Sequence, residues 1–240
     1  MTAPIHLYYF NSPNGRKITI MLEELGVPYT LIPISMSRRD QYRADFSMIS
    51  PNNKMPAIVD PEGPEGRAIS VFESGAILKY LAEKFQRFYG ASGTERVKID
   101  EWLFWQVGGF GPLLGQNEHF TSKDREPIPY AIKRFVDETR RLYGVLEGQL
   151  SRQRERGSGF VAGKDFSIAD IAIFGWARKW QDVGMAREEF PEVAGWHDRI
   201  DARPAVQRAL ALATTIPRPV PDPGEALARD LALLGVAIGE

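Results

Sequence analysis

The apolar pattern of the chain changes once, near residue 90, and this change limits the folds that are open to it. Before residue 90, short apolar runs of strand length alternate with a helical pattern; after it, apolar residues recur at helical spacing. Residues 90–94, which include two glycines and a serine, separate the two parts as a linker. The length of 240 residues suffices for two domains. We therefore predict an α/β domain over residues 1–88 and an all-α domain over residues 95–216.

The first domain begins with a strand–helix–strand unit. Residues 5–10 are aromatic and β-branched, residues 16–25 carry apolar side chains at helical spacing, and residues 29–32 form the next apolar run. Elements in this order form a right-handed parallel crossover. Two further short strands, 57–60 and 69–72, are joined by a loop rich in proline and glycine, and so short a connection favours an antiparallel pair. The predicted sheet is therefore mixed and four-stranded.

The second domain is marked by long helical patterns. Residues 129–150 place their apolar side chains on one stripe. Residues 166–171 have the pattern of a capping box with a hydrophobic staple, in which aspartate stands where glutamate or glutamine is commoner. Residues 191–202 and 205–213 are predicted to form two final helices.

The last residues, 217–240, are predicted to be a proline-rich tail with a short helix. Four prolines lie between residues 217 and 223, and an apolar helical stretch follows over residues 225–234. The apolar stripe of this stretch is formed by Leu227, Leu231 and Leu234. Two interpretations stay open: the stripe docks on a partner subunit, or the tail frays.

The charge balance and the termini indicate the class of protein. Thirty basic residues against thirty-one acidic ones leave no net field, so nucleic acid is not a favoured partner. No apolar run approaches the roughly 20 residues that a membrane helix needs, so we expect no membrane partner. The first residues lack a basic flank and an apolar signal core, and we therefore expect a cytoplasmic protein.

The chain contains no cysteine, which excludes a protein-borne thiol nucleophile and thiolate metal ligands. Any sulfur chemistry must therefore use sulfur that arrives on a substrate. The three histidines, His6, His119 and His197, are scattered along the chain without partners at metal-ligand spacing. We expect no metal cofactor.

The candidate binding site is the start of the helix that follows the fourth predicted strand. Glu73 and Ser74 are predicted to lie in its first turn, where free backbone N–H groups and the positive end of the helix dipole gather. An acid and a hydroxyl there suit a ligand with both an α-amino and an α-carboxylate group. Upstream, Met55 and Pro56 precede the strand at residues 57–60, to which a peptide-like ligand can add through main-chain hydrogen bonds. Together these features favour a γ-glutamyl peptide.

At these residues the chain resembles the soluble glutathione transferases, over roughly residues 5–213. The thioredoxin-like N-terminal domain of that family has a cis-proline before its third strand, which Met55-Pro56 matches, and a Glu/Gln-Ser pair after its fourth, which Glu73-Ser74 matches. The C-terminal domain of the family carries a buried helix with a capping box, which residues 166–170 match. The resemblance implies a thioredoxin-like domain followed by a helical domain, with glutathione as co-substrate.

Longer segments resemble the bacterial nu class, which is similar to the transferase-like domain of a fungal nitrogen-regulation protein. The matching segments are 12–19, 49–58, 102–109 and 115–117. This resemblance implies a homodimer that binds two glutathione molecules, or glutathione disulfide, in each subunit. It also implies reduction of disulfides by glutathione thiols, reduction of some organic hydroperoxides and weak conjugating activity. The absence of cysteine agrees with this class, and one departure is Ser12, where many members have threonine.

The residues predicted to act on the glutathione sulfur are Asn14 and Ser12. Asn14 lies at the end of the first strand and the mouth of the first helix, where its amide can donate to the sulfur and helix N–H groups lower the pKa of the thiol. Ser12 can serve similarly. The alternative is that residues 12–15 form only a turn with a helix cap. Alternation along the strand predicts that Tyr8 and Tyr9 pack in the core instead.

Further polar residues are candidates for the rest of the ligand. Met55 would act through its main chain on the cysteinyl residue, and Asn53 and Lys54 on the glycyl carboxylate. Gln41 is a candidate for one more polar contact. Arg134, on the long helix of the second domain, would grip the carboxylate of a second glutathione. For each of these polar side chains, a solvated surface residue is the alternative interpretation.

Three functions remain open. The first is a glutathione-dependent disulfide-bond reductase, with some hydroperoxide reductase and weak transferase activity. The second is a different glutathione-dependent reaction, such as β-ether cleavage, dehalogenation or isomerisation of a small organic substrate. The third is a non-enzymatic glutathione-binding protein, because fold alone does not settle function.

Overall fold

A computed structural model describes residues 3–212 and 221–236 of the chain. The described residues form two compact units, one made of residues 3–81, 204–212 and 221–236 and the other of Ala82–Arg203. The first is a thioredoxin-like domain with a mixed four-stranded sheet, and the second is helical. These features confirm the predicted fold class. Parts of the predicted domains, residues 1–2, 213–216, 217–220 and 237–240, lie outside the described residues.

The sheet of the first unit has the strand order β2-β1-β3-β4. The strands are β1 (Ile5–Tyr9), β2 (Tyr29–Pro33), β3 (Ala57–Asp60) and β4 (Ile69–Phe72). β1 and β2 are parallel, whereas β3 is antiparallel to both β1 and β4. Tyr8 lies opposite Ala57 and Ala57 lies opposite Phe72, so the end of β1, the start of β3 and the end of β4 share one edge.

The helices that the sequence predicted are present, with shifts of a few residues at their ends, and three more, α2, α4 and α5, had not been predicted. In chain order they are α1 (Pro13–Leu25), α2 (Ala44–Ile49), α3 (Ser74–Phe85), α4 (Gly93–Trp105), α5 (Gly111–Thr121), α6 (Pro129–Glu155), α7 (Ile168–Ala177), α8 (Pro191–Asp201), α9 (Pro204–Ala211) and α10 (Pro223–Leu233). A π-helical turn, Gln106–Phe110, connects α4 to α5. Single 3-10 turns lie at Asp40–Tyr42, Pro64–Gly66 and Arg187–Glu189.

Local chemistry explains the bounds of α1. Ser12 is its N-cap, and the Ser12 hydroxyl accepts a hydrogen bond of 3.1 Å from the N–H of Gly15. Pro13 follows at the first helical position, where its missing N–H is not needed. The helix ends at Gly26, whose φ of 69° is left-handed and whose N–H bonds to the carbonyl of Leu22.

The helix α9 groups with the first unit, although the sequence prediction included it in the domain 95–216. It packs along α1, and Arg208 Nε donates to Glu23 Oε2 over 2.7 Å. A helical pattern predicts a helix and its apolar face, but not the neighbour that covers that face. The exact domain bounds otherwise stay predictions.

The apolar stripe of α10 also belongs to the first unit. Leu227 and Leu231 are buried in a cluster with Tyr8 and Phe46, and Leu234 packs partly against it. For the described residues 221–236, both earlier interpretations, docking of the stripe on a partner subunit and fraying of the tail, are therefore wrong. The prediction that Tyr8 and Tyr9 pack in the core is confirmed, because both are almost fully buried.

The second unit is organised around α7. The predicted capping box is confirmed: the N–H and hydroxyl of Ser167 donate to Asp170 Oδ2 at 3.0 Å each. Asp170 Oδ1 accepts from the N–H of Val161 and from Trp196 Nε1, both at 2.9 Å. Burial raises the pKa of Asp170, while these hydrogen bonds act in the opposite direction.

Within residues 3–212 and 221–236, no helix combines the length with the apolar character that crossing a membrane requires.

Candidate functional site

A small cleft of about 50 Å³ opens in the first unit at the sheet edge where β1 and β4 end and β3 begins. Three separate segments of the chain meet there because of the strand register. Its lining residues are Asn14, Ser50, Asn52, Lys54, Met55, Pro56, Phe72, Glu73 and Ser74. Six of these were predicted from the sequence; Ser50, Asn52 and Phe72 were not.

The middle wall of the cleft is the segment between α2 and β3. The Met55–Pro56 peptide bond is cis, as the family resemblance implied. The Ser50 hydroxyl donates to the carbonyl of Lys54 over 2.8 Å, and the N–H of Asn53 donates to the carbonyl of Ser50 over 2.8 Å. These two bonds hold the wall as a compact turn.

Glu73 adopts a left-handed backbone conformation, with φ of 69°. The helix α3 begins at Ser74, so Glu73 directly precedes the first turn instead of lying in it as predicted. Its carbonyl accepts from the N–H of Ile77 over 2.9 Å. A left-handed non-glycine residue costs about 1–3 kcal/mol and is found at ligand clamps. Here the conformation holds an exposed carboxylate at the cleft, where Asn52 Nδ2 donates to Glu73 Oε1 over 3.4 Å.

Behind Ser74 lies a buried cation that the sequence interpretation missed. Lys17 on α1 is 1% exposed, and its Nζ donates to the Ser74 hydroxyl over 3.1 Å. Burial lowers the pKa of Lys17 to about 7, against a smaller opposing effect of the Glu73 carboxylate. Lys17 lies three residues after Asn14 and four before Met21, which puts all three on one face of the helix. This helical spacing was the sequence signal that could have placed Lys17 beside Asn14 and the cleft. It was not used, because a lone lysine in an amphipathic helix is usually solvated.

The two residues predicted to act on sulfur have different positions. Asn14 is the second residue of α1, is half-buried and lines the cleft. Ser12 caps α1 and is absent from the lining residues of the cleft. The structure therefore agrees with the interpretation of Ser12 as a helix cap. The Ser12 hydroxyl accepts the bond from Gly15 through its oxygen, so its own proton can still be donated.

The other polar residues predicted to bind the ligand differ in where the structure places them. Lys54 lines the cleft and is exposed. Asn53 turns away: its φ is 55°, and its Oδ1 accepts from the Ser47 hydroxyl over 2.7 Å. Gln41 is buried, and in the described part of the chain its Oε1 has no hydrogen-bond partner. Arg134 belongs to the second unit, where it is exposed on α6 and lines a groove of about 590 Å³.

Metal ligands do not cluster in the described ranges: no group of three or more histidine, aspartate or glutamate side chains there could hold a metal ion. Because the cleft itself offers amide, hydroxyl, ammonium and carboxylate groups, it suits a zwitterionic organic ligand.

Comparison with known proteins matches both parts of the chain. Residues 11–84 match the family model for the N-terminal domain of glutathione S-transferase, and residues 130–204 match that for its C-terminal domain. The chain is 47% identical over 207 residues to the disulfide-bond oxidoreductase YfcG of Escherichia coli K12, covering 86% of this chain and 94% of that protein. It is 32% identical over 234 residues to the protein URE2 of Meyerozyma guilliermondii, covering 83% of this chain and 77% of that protein.

A solved structure has the same architecture. The crystal structure of a glutathione transferase family member from Pseudomonas fluorescens, with two glutathione molecules bound, superimposes with a TM-score of 0.79 at 40% identity. The match covers 86% of this chain and 92% of that one.

Proposed function

Because the chain belongs to the glutathione S-transferase family, we propose that it is a glutathione-dependent disulfide-bond reductase. The observation that carries the proposal is the shared sheet edge, which brings Asn14, Met55-Pro56 and Glu73-Ser74 into one cleft. The name of the similar Escherichia coli protein, a disulfide-bond oxidoreductase, supports the reaction class. The absence of cysteine also supports it, since the thiol must then come from glutathione.

Glutathione would bind with its γ-glutamyl end at the start of α3. Its amine pairs with the Glu73 carboxylate, and its α-carboxylate accepts from the Ser74 hydroxyl and the free N–H groups of the helix. The Lys17 ammonium behind Ser74 adds positive charge on the same side. The main chain of Met55 bonds the cysteinyl residue, and Lys54 attracts the glycyl carboxylate. Asn53 and Gln41 receive weaker support, because their side chains point elsewhere or are buried.

The thiol would be activated at the start of α1. The Asn14 amide donates to the sulfur, and the helix dipole favours the thiolate over the thiol. A lowered thiol pKa raises the thiolate fraction, and the thiolate is the attacking species in thiol–disulfide exchange. Ser12 is a second donor, subordinate to Asn14 because it also caps the helix.

The reaction then takes two exchanges. The bound thiolate attacks one sulfur of the substrate disulfide, forms a mixed disulfide and releases the first substrate thiolate, which takes up a proton. A second glutathione thiolate attacks the glutathione sulfur of the mixed disulfide. Arg134, a residue of the second unit, stays the proposed contact for the carboxylate of a second glutathione. Glutathione disulfide forms and the second substrate thiolate leaves, so two electrons pass from two glutathione thiols to the substrate. Two thiols can likewise reduce an organic hydroperoxide to an alcohol and water.

The proposal includes a homodimer and a cytoplasmic location. Both come from the family resemblance. The second also fits the chemistry, because the cytosol keeps its glutathione pool reduced and available as a thiol donor.

The test is glutathione-dependent reduction of 2-hydroxyethyl disulfide, coupled to glutathione reductase, for wild type, Asn14→Ala and the control Asn11→Ala. Asn11 lies in the same turn but is exposed and is not a lining residue of the cleft. We expect turnover of Asn14→Ala to fall about 10²-fold, as for the loss of one preorganised donor to a developing anion. Its glutathione Kd should change little, and Asn11→Ala should resemble wild type.

Two outcomes contradict the proposal. Equal loss of turnover and affinity in Asn14→Ala would make Asn14 a binding residue only. Absent wild-type turnover, with glutathione still bound in calorimetry, would favour a lyase, isomerase, dehalogenase or non-enzymatic binding protein instead.

A further inference from the structure

The helix α10 is held on the sheet by a buried carboxylate. Asp230 is fully buried, and its Oδ2 accepts from the Tyr8 hydroxyl over 2.6 Å. Its Oδ1 lies 2.8 Å from His6 Nδ1 and 3.4 Å from Arg229 Nε. His6 and Tyr8 are two residues apart on β1 and therefore point to the same face of the sheet. A buried carboxylate is tolerated only when it is well hydrogen-bonded, so these contacts define where α10 sits along β1.

Around Asp230, α10 completes an apolar cluster that reaches the cleft wall. Leu227 and Leu231 are buried together with side chains from β1, β2, β3 and α2, and Met55 of the cleft wall packs against the same cluster. The cluster members from outside α10 are Tyr8, Ile32, Ile34, Phe46, Ile49, Ala57 and Val59. One apolar core thus underlies both α10 and the residue before Pro56.

The helix most affected by this packing is α2. It has only six residues, Ala44–Ile49, and so short a helix is not stable by itself. Its position therefore depends on what it packs against, which is α10 on one side and the sheet on the other. The chain passes directly from α2 into residues 50–56, which form the middle wall of the cleft.

We propose that α10 is a positioning element of the glutathione cleft, with Asp230 as its positioning residue. Docked through Tyr8 and His6, α10 holds α2 and therefore residues 50–56 in the geometry that receives the peptide main chain of the ligand. The inference rests on the proposed function for the identity of the ligand. It adds that α10, which begins at Pro223, 167 residues after Pro56 in the chain, sets the affinity of the site.

The test compares the glutathione affinity of full-length variants by calorimetry. Leu227→Ala/Leu231→Ala removes the apolar contacts of α10, and Tyr8→Phe deletes only the hydroxyl that binds Asp230. The matched controls are Leu233→Ala, an exposed leucine of the same helix, and Tyr9→Phe, on the opposite face of β1. We expect the glutathione Kd to rise about tenfold in the double variant, about threefold in Tyr8→Phe, and not in the controls.

A purely stabilising role predicts a different result. In that case the variants would show fewer binding sites per chain, because part of the protein is unfolded, but the folded molecules would bind with the wild-type Kd. That outcome overturns the inference and leaves the proposed function intact. A wild type that does not bind glutathione at all would instead remove the proposed function and the inference with it.

Hydrogen exchange without ligand gives a second, independent readout. Faster amide exchange across residues 44–55 in Leu227→Ala/Leu231→Ala and in Tyr8→Phe, with unchanged exchange in both controls, is the expected result. Unchanged exchange across α2 while α10 itself exchanges faster would overturn the inference. Should the double variant fail to fold, Tyr8→Phe carries both measurements.

Discussion

The buried ammonium group of Lys17 donates a hydrogen bond to the Ser74 hydroxyl over 3.1 Å. This bond joins the second turn of α1 to the first residue of α3, so the two helix starts that border the cleft are linked beneath its surface. It also orients the Ser74 hydroxyl, which accepts from Lys17 and keeps its own proton for a ligand carboxylate. The pair is thus part of the candidate binding site although Lys17 does not line the cleft.

The burial of Lys17 makes folding stability depend on pH. Its pKa is about 7 in the folded protein and returns to 10.5 in the unfolded chain. Between these values the unfolded chain binds a proton that the native protein does not, so this group makes the free energy of unfolding rise with pH. Below pH 7 the native protein bears the full cost of a buried charge. We expect Lys17→Met to stabilise the protein most below about pH 7, and progressively less towards about pH 10.

The measurement is urea unfolding of wild type and Lys17→Met across this pH range. Lys98→Met, which removes an exposed ammonium group from α4, is the control and should give a pH profile parallel to that of wild type. A profile for Lys17→Met that also runs parallel to wild type would show that Lys17 is not titrated by folding.

The charge of Glu73 should contribute to glutathione affinity through the ligand amine. A hydrogen bond to a charged group contributes about 1.5–3 kcal/mol, so Glu73→Gln should raise the Kd about tenfold or more. N-acetylglutathione, which lacks the ammonium group, should bind wild type and Glu73→Gln about equally. Calorimetry with both ligands measures this, with the exposed Glu65→Gln as control. A full loss of affinity with N-acetylglutathione too would mean that the substitution disturbs the backbone of Glu73.

Gly15 is needed for the tight turn from β1 into α1. A Cβ atom there would lie 2.2 Å from the carbonyl oxygen of Phe10 and 3.0 Å from the Tyr9 ring. Because a backbone oxygen cannot move cheaply, Gly15→Ala should destabilise the protein by about 1–3 kcal/mol in urea unfolding. Gly144→Ala, on α6 with no atom within 4 Å of the added carbon, should instead stabilise it by about 0.5–1 kcal/mol. Equal effects of the two substitutions would contradict the steric argument.

Asp170 should be the most sensitive position of the second unit. Its carboxylate accepts four hydrogen bonds from Ser167, Val161 and Trp196, and each buried donor left without a partner costs about 1–3 kcal/mol. We expect Asp170→Ala to lower the free energy of unfolding by about 3 kcal/mol or more, measured through tryptophan fluorescence in urea. The exposed Asp165→Ala is the control. A midpoint for Asp170→Ala close to that of the control would show that the capping box contributes little.

Much of the candidate site was predictable because its signals are local. A strand followed by an acid, a serine and a helical pattern predicts a helix start with free N–H groups at residues 73–74. Ser12 and Gly26 bound α1 through cap chemistry that involves only their neighbours in the chain. For the same reason the capping box at residues 167–170 was correctly predicted.

The missed residues depend on distant partners. In the sequence, Lys17 has the pattern of a solvated lysine, and only the position of α3 in the structure provides its hydrogen-bond partner, Ser74. In the sequence, Asp230 lies on the polar face of an amphipathic helix. Only the structure shows that Tyr8 and His6 of β1 contact its carboxylate. Asn53 is a different case: it was predicted as a ligand residue, but its Oδ1 accepts a hydrogen bond from the Ser47 hydroxyl, six residues earlier in the chain. For Lys17 and Asp230, the neighbouring residues in the chain are the same whether the side chain is solvated or buried against a partner. The local sequence pattern therefore does not distinguish the two interpretations.

The sequence by itself therefore determined the four strands, most of the helices, the caps of α1 and α7 and most of the residue types of the cleft, because backbone conformation and capping depend on near neighbours in the chain. Only the tertiary structure decided which elements cover each apolar face: α9 against α1, and α10 against the sheet and α2. Only the tertiary structure decided, too, that Tyr8, Ala57 and Phe72 lie side by side. Register and packing depend on the simultaneous burial of segments far apart in the chain, and no local pattern records that competition.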